Sequence, residues 1–370
     1  MDYIQLGATD LRVSRLGVGT AAFGLDRYGI TAPGEGSVDP AEGIANIHRA
    51  VEGGVNFFDT APAYGRSEEL LGEALADHKD CLVATKVPIP ENILDNKDEI
   101  SQSELTQRVN KSLDESLRRL RREVLDVVQI HNATVHILQQ GNMVCCLERA
   151  REAGKLRYIG ASVYGEEAAL AAIRTGKIQI LQVALSLLDQ RMCEKVIPEA
   201  RAGGLGVLTR SALLKGALTK RAQWLPPRLQ ALSQASERAV RELGTCWESL
   251  PSMALRFCLS VDGVHCVLSG VRNSAEVDDC LAACAAGPIA PVLLGKAYGL
   301  GLSDDLLLNP SHWQLERIEN FHSATRHPPT GSNYAHSPAE RVDGESASNN
   351  GSSYEQHAHK TVIPPLRAKN

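Results

Sequence analysis

The sequence LDVVQI at residues 125–130 is almost continuously apolar and follows the strongly charged segment 118–123. A strand of this composition is typical of a sheet covered on both faces, which is what parallel βα units produce. Comparable short apolar stretches recur along the chain and alternate with longer stretches of helical periodicity. Eight strands are predicted in this way: Arg15–Gly19, Asn56–Asp59, Leu82–Lys86, Leu125–Ile130, Leu156–Ala161, Ile178–Val183, Gly206–Thr209 and His265–Ser269.

A hairpin is predicted before the first βα unit, because Tyr3–Gln5 and Leu11–Ser14 flank the turn sequence LGATD. The whole pattern predicts an α/β fold, a (β/α)8 TIM barrel with an N-terminal β-hairpin plug. An open doubly wound sheet is the alternative. Between the strands, the clearest predicted helices are Pro40–Glu52, Ser67–Ala76, Ser103–Arg121 and Ile137–Ala153.

The length also favours one catalytic domain with additional segments. The chain has 370 residues, of which 43% are hydrophobic, enough for one barrel with a large core. From about Ser323 onward, Ser, Asn, Gly, Pro and His dominate and apolar residues are sparse, so burial cannot offset the entropy of ordering. We therefore predict a barrel domain over residues 1–322 and a disordered polar C-terminal tail over residues 323–370.

The charge pattern argues against several classes of protein. The net charge of −5 comes from 44 acidic residues and 39 Lys and Arg residues, which are mixed along the chain, so neither a nucleic acid nor a membrane is predicted as a partner. The first residues do not resemble a signal peptide, and the nine cysteines lack CxxC spacing. These features predict a reduced cytoplasmic protein without a metal site, and the tail histidines His336, His357 and His359 are expected to be solvated.

Polar residues follow the predicted strands at the end where barrel enzymes carry their chemistry. Each one alone has an ordinary structural explanation, such as a helix cap, a turn or the start of a solvated loop. Their joint occurrence at the carboxyl ends of otherwise apolar strands predicts one shared pocket. The residues are Asp59, Lys86, His131, Ser162, Gln182, Arg210, Ser211, Ser269 and Gly270.

Asp59, Lys86 and His131 from this set, together with Tyr64 five residues after Asp59, fit carbonyl reduction, in which a hydride reaches the carbonyl carbon and the oxygen must be protonated. A free tyrosine has a pKa of about 10, too high for a well-matched acid at neutral pH. We expect the ammonium of Lys86 to lower the pKa of Tyr64 and the carboxylate of Asp59 to orient Lys86. His131 is expected to donate a hydrogen bond to the substrate oxygen.

Several stretches of the chain that contain these residues resemble the aldo-keto reductases. GVNFFDTAPAYGRSEELLGEAL (54–75) resembles their second βα unit, with Asp59 and Tyr64 five residues apart, while LVATKV (82–87) carries their lysine as Lys86. LRRLRREVLDVVQIHN (117–132) leads to their histidine as His131. Further similar stretches follow in order, GKLRYIGAS, LQVALSLLDQR, GVLTRSALLKGAL and ALRFCLSVDGVHCVLSGVRNSAEVDDCLAA, so that the resemblance covers roughly residues 3–286.

The resemblance implies a cofactor, NADP more often than NAD, bound in an extended form by residues of the later strands. Ser162 and Gln182 match the positions that bind the nicotinamide amide. The segment Thr209–Leu213, with Arg210, Ser211 and Leu213, matches the one under the pyrophosphate. Ser269–Asn273, with Ser269, Gly270 and Arg272, matches the one near the adenosine ribose, where Arg272 would pair with a 2′-phosphate.

Four departures from the family pattern bear on the cofactor. Val163 stands where the family usually has Asn, which removes one amide contact. Leu185 is aligned where many members have an aromatic that stacks on the nicotinamide, so it would cover the ring without π-stacking. Glu276 and Cys280 replace Arg or Gln and Asn, and a carboxylate at Glu276 would repel a 2′-phosphate. These departures weaken the case for NADP over NAD.

Two other functions fit the same residues. One is a redox-neutral lyase or epimerase in which Tyr64 and Lys86 act as an acid/base pair. The other is a regulatory subunit that senses the nicotinamide redox state. For an active reductase or dehydrogenase, the predicted partner is a small sugar, aldehyde or polyketide-like carbonyl or alcohol, with Phe23, Tyr28 in the loop Gly24–Asp39, and Trp224 as candidate lining residues.

Overall fold

A computed structural model describes residues 1–94, 100–313 and 315, and eight parallel strands close into a barrel within it. The last barrel strand pairs with both the first and the seventh, so the sheet has no open edge and the barrel prediction is confirmed. The open doubly wound alternative is therefore wrong. The strands are β3 (Leu16–Gly19), β4 (Phe57–Asp59), β5 (Leu82–Val87), β6 (Leu125–Ile130), β7 (Leu156–Ser162), β8 (Ile180–Ala184), β9 (Gly206–Arg210) and β10 (Cys266–Gly270).

The predicted N-terminal hairpin is also present, as the antiparallel pair β1 (Tyr3–Gln5) and β2 (Arg12–Ser14). It lies against the amino ends of the barrel strands, where the Ala8 amide donates to Gly204 O at 2.8 Å. Gly7 has a φ of 60°, and a Cβ there would lie 2.3 Å from the Gly206 nitrogen, so this close approach requires glycine. The hairpin thus closes the amino end of the barrel.

Helices surround the barrel and pack on one another, including α12 against α2 where the ring closes. The helices are α1 (Ala21–Gly24), α2 (Pro40–Glu52), α3 (Ser67–Ala74), α4 (Glu91–Leu94), α5 (Gln102–Leu120), α6 (Val135–Gln140), α7 (Asn142–Glu152), α8 (Glu166–Arg174), α9 (Val196–Ala202), α10 (Gln230–Leu243), α11 (Leu250–Ser260), α12 (Ser274–Ala285), α13 (Pro291–Tyr298) and α14 (Asp305–Leu308). Short 3₁₀ turns follow at Leu214–Gly216, Lys220–Trp224, Pro227–Leu229 and Pro310–His312.

Local sequence explains several of the helix boundaries. Helix α2 begins where Asp39 accepts from the amides of Ala41 and Glu42 and where Pro40 takes the first helical position. The single helix predicted over Ile137–Ala153 is wrong, because Gly141 has a φ of 72° and divides it into α6 and α7. The isolated glycine in the helical pattern was the available signal for this break.

Two apolar cores explain the composition of LDVVQI. Val128 and Ile130 belong to the large core between the strands and the helices. Val127 belongs to a smaller core inside the barrel. Because successive side chains of a strand point to opposite faces, a strand between these two cores must be apolar on both.

The inner core fills the amino half of the barrel and includes side chains of the hairpin. Its buried members are Leu6, Leu11, Val13, Phe57, Ala84, Val127, Ile180, Leu208, Cys266 and Leu268. The predicted tail, with its histidines, lies outside the described residues. No helix in the described part of the chain is long and apolar enough to cross a membrane.

Candidate active site

The loop between β4 and α3 carries Tyr64 and is held by buried hydroxyl groups. Ser67 Oγ lies 2.5 Å from Thr20 Oγ1 and 2.9 Å from Thr60 Oγ1, which ties the start of α3 to two neighbouring strand ends. A Cβ on Gly24 would lie 1.8 Å from Tyr64 O, so the chain after β3 can approach this loop only as glycine. The position of Tyr64 is therefore fixed by packing from both sides.

The carboxylate of Asp59 ends β4 and accepts three side-chain hydrogen bonds. Lys86 Nζ donates to Oδ2 at 2.6 Å, while Gln129 Nε2 and Gln182 Nε2 donate to Oδ1 at 2.9 Å and 2.8 Å. Lys86 also donates to Thr60 O at 2.8 Å, and its side chain is 1% exposed. A buried ion pair needs such additional hydrogen bonds to offset desolvation, and here both partners have them.

The four side chains expected to carry the chemistry lie together at the carboxyl end of the barrel. Lys86 Nζ is 4.9 Å from the centre of the Tyr64 ring. The rings of Tyr64 and His131 meet edge to face, with centroids 5.8 Å apart. His131 directly follows β6, and its amide donates to Val87 O at 3.0 Å. The phenol, ammonium, carboxylate and imidazole therefore share one pocket.

The electrostatics of Tyr64 differ from the sequence-based expectation. Burial raises the pKa of Tyr64 above its ordinary value, and the Asp59 carboxylate raises it further. The ammonium of Lys86, which is paired with Asp59, does not offset these two effects. Arg210 supplies the cationic influence that lowers the pKa of the phenol, but burial dominates.

Burial also controls the pKa of His131. It lowers the pKa of His131 to about 4, and the charge of Lys86 contributes in the same direction. The imidazole is therefore neutral at physiological pH. A neutral imidazole has one N–H donor, which suits a hydrogen bond to an oxygen in the pocket.

Gln129 is a site residue that sequence reasoning did not identify. It is fully buried in β6, and within the described part of the chain its Oε1 has no hydrogen-bond partner. A Cβ on Gly160 would lie 2.8 Å from Gln129 Cγ, so the glycine in β7 makes room for this side chain. The only signal was its place as one of two polar residues, with Asp126, inside the otherwise apolar sequence LDVVQI.

Glu68 is a second unpredicted residue, and it connects the Tyr64 loop to the Lys86 strand. Its carboxylate is completely buried, accepting from Thr85 Oγ1 at 2.6 Å and from Arg119 Nε at 2.7 Å. Thr85 precedes Lys86 in β5, while Glu68 lies in the first turn of α3 after Tyr64. The hydrogen bond from Thr85 to Glu68 therefore ties the start of α3 to the strand that carries Lys86.

The residues predicted to bind a cofactor follow the next four strands at the same end of the barrel. Ser162 ends β7 and donates to Gln182 Oε1 at 3.3 Å. Because Nε2 of Gln182 donates to Asp59, its remaining polar atom is an acceptor. This acceptor beside a serine hydroxyl suits a carboxamide, which offers both N–H and carbonyl groups.

The segment after β9 has an unusual backbone. Ser211, Leu214 and Lys215 have φ values of 66°, 46° and 50°, in the left-handed region that non-glycine residues rarely adopt. Such conformations concentrate at ligand-binding and active sites. Arg210 and Ser211 begin this segment, and the side chain of Leu213 packs partly against the outer core.

A group of four charged residues, here called the Glu35 cluster, lies beyond Ser269 and Gly270 at the end of β10. The Glu35 carboxylate accepts hydrogen bonds from Arg272 Nε at 3.0 Å and from both terminal nitrogens of Arg221. Glu276 accepts from the Arg272 amide at 2.8 Å and lies 3.5 Å from Arg221. Hydrogen bonds from Arg221 lower the pKa of Glu35 to about 2. Arg272, expected to be free for a phosphate, therefore already pairs with a carboxylate.

The Glu35 cluster nevertheless fits part of a dinucleotide. Arg272 Nη1 is buried and has no hydrogen-bond partner among the residues that the structure describes. At Gly19 and Gly270, a Cβ would meet no atom closer than 3.9 Å, so there is open space above the neighbouring ends of β3 and β10. An unpartnered donor beside this space is consistent with an anionic or hydroxyl-rich ligand.

Three of the four residues that depart from the family pattern, Val163, Leu185 and Cys280, are buried, whereas Glu276 is partly exposed. Leu185 is fully buried in the outer core and has no exposed surface with which to cover a nicotinamide ring. Val163 is 1% exposed, and Cys280 Sγ lies 3.4 Å from Ser269 Oγ. Among the suggested lining residues, Phe23 is buried, whereas Tyr28 and Trp224 are partly exposed.

Comparisons with known proteins found similarity over most of the chain. A family model described as "Aldo/keto reductase family" matches residues 15–291. L-galactose dehydrogenase of Arabidopsis thaliana is 28% identical over 293 residues, which cover 75% of this chain and 86% of that protein. The NADH-specific methylglyoxal reductase of Escherichia coli is 28% identical over 310 residues, which cover 76% of this chain and 93% of that protein.

A solved structure shares the fold. The holo form of an aldo-keto reductase from Bacillus halodurans superposes with a TM-score of 0.67 at 23% identity, and the match covers 85% of this chain and 100% of that chain. Its architecture agrees with the closed barrel described above.

Proposed function

Since the chain belongs to the aldo/keto reductase family, and is therefore an oxidoreductase, we propose that it transfers a hydride between NAD(P)H and a small carbonyl or alcohol substrate, with Tyr64 as general acid/base. The observation that carries this proposal is the convergence of Tyr64, Lys86, Asp59 and His131 at one end of the barrel. These side chains come from three strands, β4, β5 and β6, or the loops after them, and each contacts at least one other member of the group.

Tyr64 protonates the carbonyl oxygen in the direction of reduction. Because burial raises its pKa, the phenol is protonated at neutral pH and is in the correct form to donate. As the proton leaves, Lys86 near the ring stabilises the developing phenolate, and this stabilisation grows toward the transition state. Asp59 holds Lys86 in place through the 2.6 Å contact.

His131 orients the substrate oxygen. Its neutral imidazole donates one hydrogen bond, so the oxygen is held between an N–H and the Tyr64 O–H. Nicotinamide, when bound, supplies the hydride. Ser162 and Gln182 would hold its carboxamide, Arg210, Ser211 and Leu213 would contact the pyrophosphate, and Ser269, Gly270 and Arg272 would contact the adenosine end.

The Glu35 cluster bears on the choice of dinucleotide. The resemblance favours NADPH, but a 2′-phosphate at Arg272 would have to replace Glu35 as its partner. A ribose hydroxyl can instead donate to a carboxylate such as Glu276. We therefore propose that the protein accepts NADH as well as NADPH. Its substrate is a sugar or small aldehyde, and its compartment is the cytoplasm.

The test begins with fluorescence titrations of NADPH and NADH and continues with a panel of carbonyl substrates followed by nicotinamide absorbance. Tyr64→Phe should retain dinucleotide affinity and lose turnover by about 10²–10⁴-fold, because the ring remains and only the proton donor is removed. An unchanged rate in Tyr64→Phe would exclude Tyr64 as the acid. Substrate conversion without any change in nicotinamide absorbance would instead support the lyase or epimerase alternative.

A further inference from the structure

A layer of buried polar side chains lies inside the barrel, next to its apolar core. Asp59, Lys86, Gln129 and Gln182 each follow a member of that core by two residues, so all four side chains point into the barrel. Asp59 and Lys86 form the ion pair beside Tyr64, and Gln182 stands at the position proposed for the nicotinamide amide. Gln129 has neither of these roles, although it belongs to the same layer.

The orientation of the Gln129 amide follows from its partner. An ionised carboxylate only accepts hydrogen bonds, so Nε2 and not Oε1 must face Asp59 Oδ1, at 2.9 Å. Oε1 then faces the other way, and it has no hydrogen-bond partner in residues 1–94, 100–313 and 315. A buried acceptor left unpaired lowers the free energy of unfolding. The contact with Asp59 is therefore kept at a cost to stability, which is typical of functional residues.

The neighbouring strand leaves room for the Gln129 side chain. Gly160 of β7 lies beside Gln129 in the sheet, and a Cβ on this glycine would lie 2.8 Å from Gln129 Cγ. On its other side, Gln129 lies beside Lys86 of β5. Packing between these two strands thus holds the amide in place together with its hydrogen bond to Asp59.

The donors around Asp59 determine which of its oxygens faces Lys86. The terminal torsion of an aspartate is broad, so the carboxylate plane needs hydrogen bonds to fix it. Gln129 and Gln182 donate to Oδ1 at 2.9 Å and 2.8 Å, while Lys86 Nζ donates to Oδ2 at 2.6 Å. Gln182 is also proposed to bind nicotinamide, so a bound dinucleotide competes for its amide. Gln129 is fully buried and is not part of that proposed contact.

We propose that Gln129 is a positioning residue, which holds the Asp59 carboxylate so that Lys86 stays directed at Tyr64 whether or not a dinucleotide is bound. This inference rests on the proposed function, because the chemical step belongs to Tyr64, whose ring centre lies 4.9 Å from Lys86 Nζ. Gln129 acts on that step through Asp59. Its effect on turnover therefore depends on the presence of the carboxylate.

The first test is a double-mutant cycle on turnover, with NADPH and glyceraldehyde as probes. Gln129→Met removes the donor and keeps the length of the side chain. We expect kcat to fall by about tenfold to a hundredfold, while the Kd for NADPH changes by less than about twofold. In an Asp59→Asn background the same change should lower kcat by less than about twofold, because no carboxylate is left to hold. An equal loss in both backgrounds would show a role in packing only and would overturn the proposal.

Two further variants control this test. Ser116→Ala removes another buried oxygen that has no hydrogen-bond partner among the described residues, on helix α5, and should leave kcat unchanged. Gln129→Asn keeps the amide on a side chain one methylene shorter, which does not reach Asp59. It should lose kcat as Gln129→Met does, and it replaces that variant if Gln129→Met does not fold. A wild-type kcat in Gln129→Asn would contradict the positioning role.

A second measurement does not depend on turnover. In protein labelled with ¹⁵N-lysine, the ammonium signal of Lys86, a side chain that is 1% exposed, is assigned by its loss in Lys86→Met. This signal should shift in Gln129→Met and stay unchanged in Ser116→Ala. If glyceraldehyde is not reduced yet this difference is found, the positioning contact stands and the proposed reductase function fails. A Lys86 signal that is identical in the wild type and in Gln129→Met would overturn the inference.

Discussion

The two ends of the barrel interior are built from the same strands and have opposite chemistry. At the amino end, Phe57 and Val127 pack with Leu6 and other side chains of the hairpin in a fully apolar layer. At the carboxyl end, Asp59 and Gln129, each two residues further along the same strands, form a buried hydrogen bond. Inward-facing positions two residues apart therefore separate a layer that stabilises the fold from a layer that carries charge.

Breaking the charged layer should have the largest effect. Lys86→Met removes the cation near Tyr64 and leaves Asp59 buried without its partner. We expect turnover to fall by about 10²–10⁴-fold and the free energy of unfolding to fall by about 3–5 kcal/mol. Steady-state kinetics and urea denaturation measure the two effects.

Two further variants control this prediction. Lys177→Met removes an exposed pair with Glu148 and should change both quantities little. The double variant Asp59→Leu, Lys86→Met should be less destabilised than the sum of the single changes, because no charge is then left unpaired. Strict additivity would show that the two residues are not energetically coupled.

Breaking the apolar layer should affect stability alone. Leu6→Ala removes a fully buried side chain of the hairpin, and we expect a loss of about 2–5 kcal/mol in the free energy of unfolding. Turnover per folded molecule and dinucleotide Kd should be unchanged, since Leu6 lies at the opposite end from Tyr64. Ile4→Ala, at a position 36% exposed in β1, is the control and should change stability by less than about 0.5 kcal/mol. A selective loss of turnover in Leu6→Ala would contradict the separation of the two layers.

A smaller effect concerns the pH dependence of the free energy of unfolding. It can be tested with one histidine at each end of the barrel. The pKa of His131 is lowered to about 4 from an ordinary value of 6.5, so between these values the unfolded chain binds a proton that the folded chain does not. The free energy of unfolding therefore falls as pH falls from 6.5 toward 4, by at most about 3 kcal/mol. Urea denaturation at pH 7, 6 and 5 should show a shallower dependence in His131→Asn than in the wild type.

His265, which precedes β10 at the amino end, has a pKa lowered mainly by burial, and its Nδ1 accepts from the Val207 amide at 3.0 Å. His265→Asn should likewise reduce the loss of stability below pH 6.5, but without changing the pH dependence of turnover. An equal effect of both variants on the pH profile of turnover would remove the distinction between the two ends.

Much of the fold follows from local sequence. Hydrophobic periodicity, turn residues and flanking glycines predicted the hairpin, the eight strands and the exact bounds of helix α2 (Pro40–Glu52). These signals act over a few neighbouring residues. The strand predicted as Ile178–Val183 begins two residues later, at Ile180. Ile178 is still buried, so apolar composition alone did not mark the point where strand pairing starts.

Many of the predicted site residues follow from one topological rule, that parallel strands present their carboxyl ends together, whereas Leu213, Arg272 and the cofactor roles were implied by the family resemblance. The contacts among them do not follow from it. Gln182 was expected only at a cofactor amide, yet it also donates to Asp59, and Glu35 pairs with Arg272 from the opposite end of the chain. Such contacts depend on barrel register and loop paths, which no local pattern encodes.

The N-terminal hairpin has a consequence for the order of folding. Leu6 and Leu11 are synthesised well before Cys266 and Leu268, which complete their apolar layer. During synthesis on the ribosome, the hairpin therefore has no finished surface to cover, and its docking must await barrel closure. Contacts of such long sequence separation are slow to form. We therefore expect the docking of the hairpin on the barrel to be one of the last steps of folding.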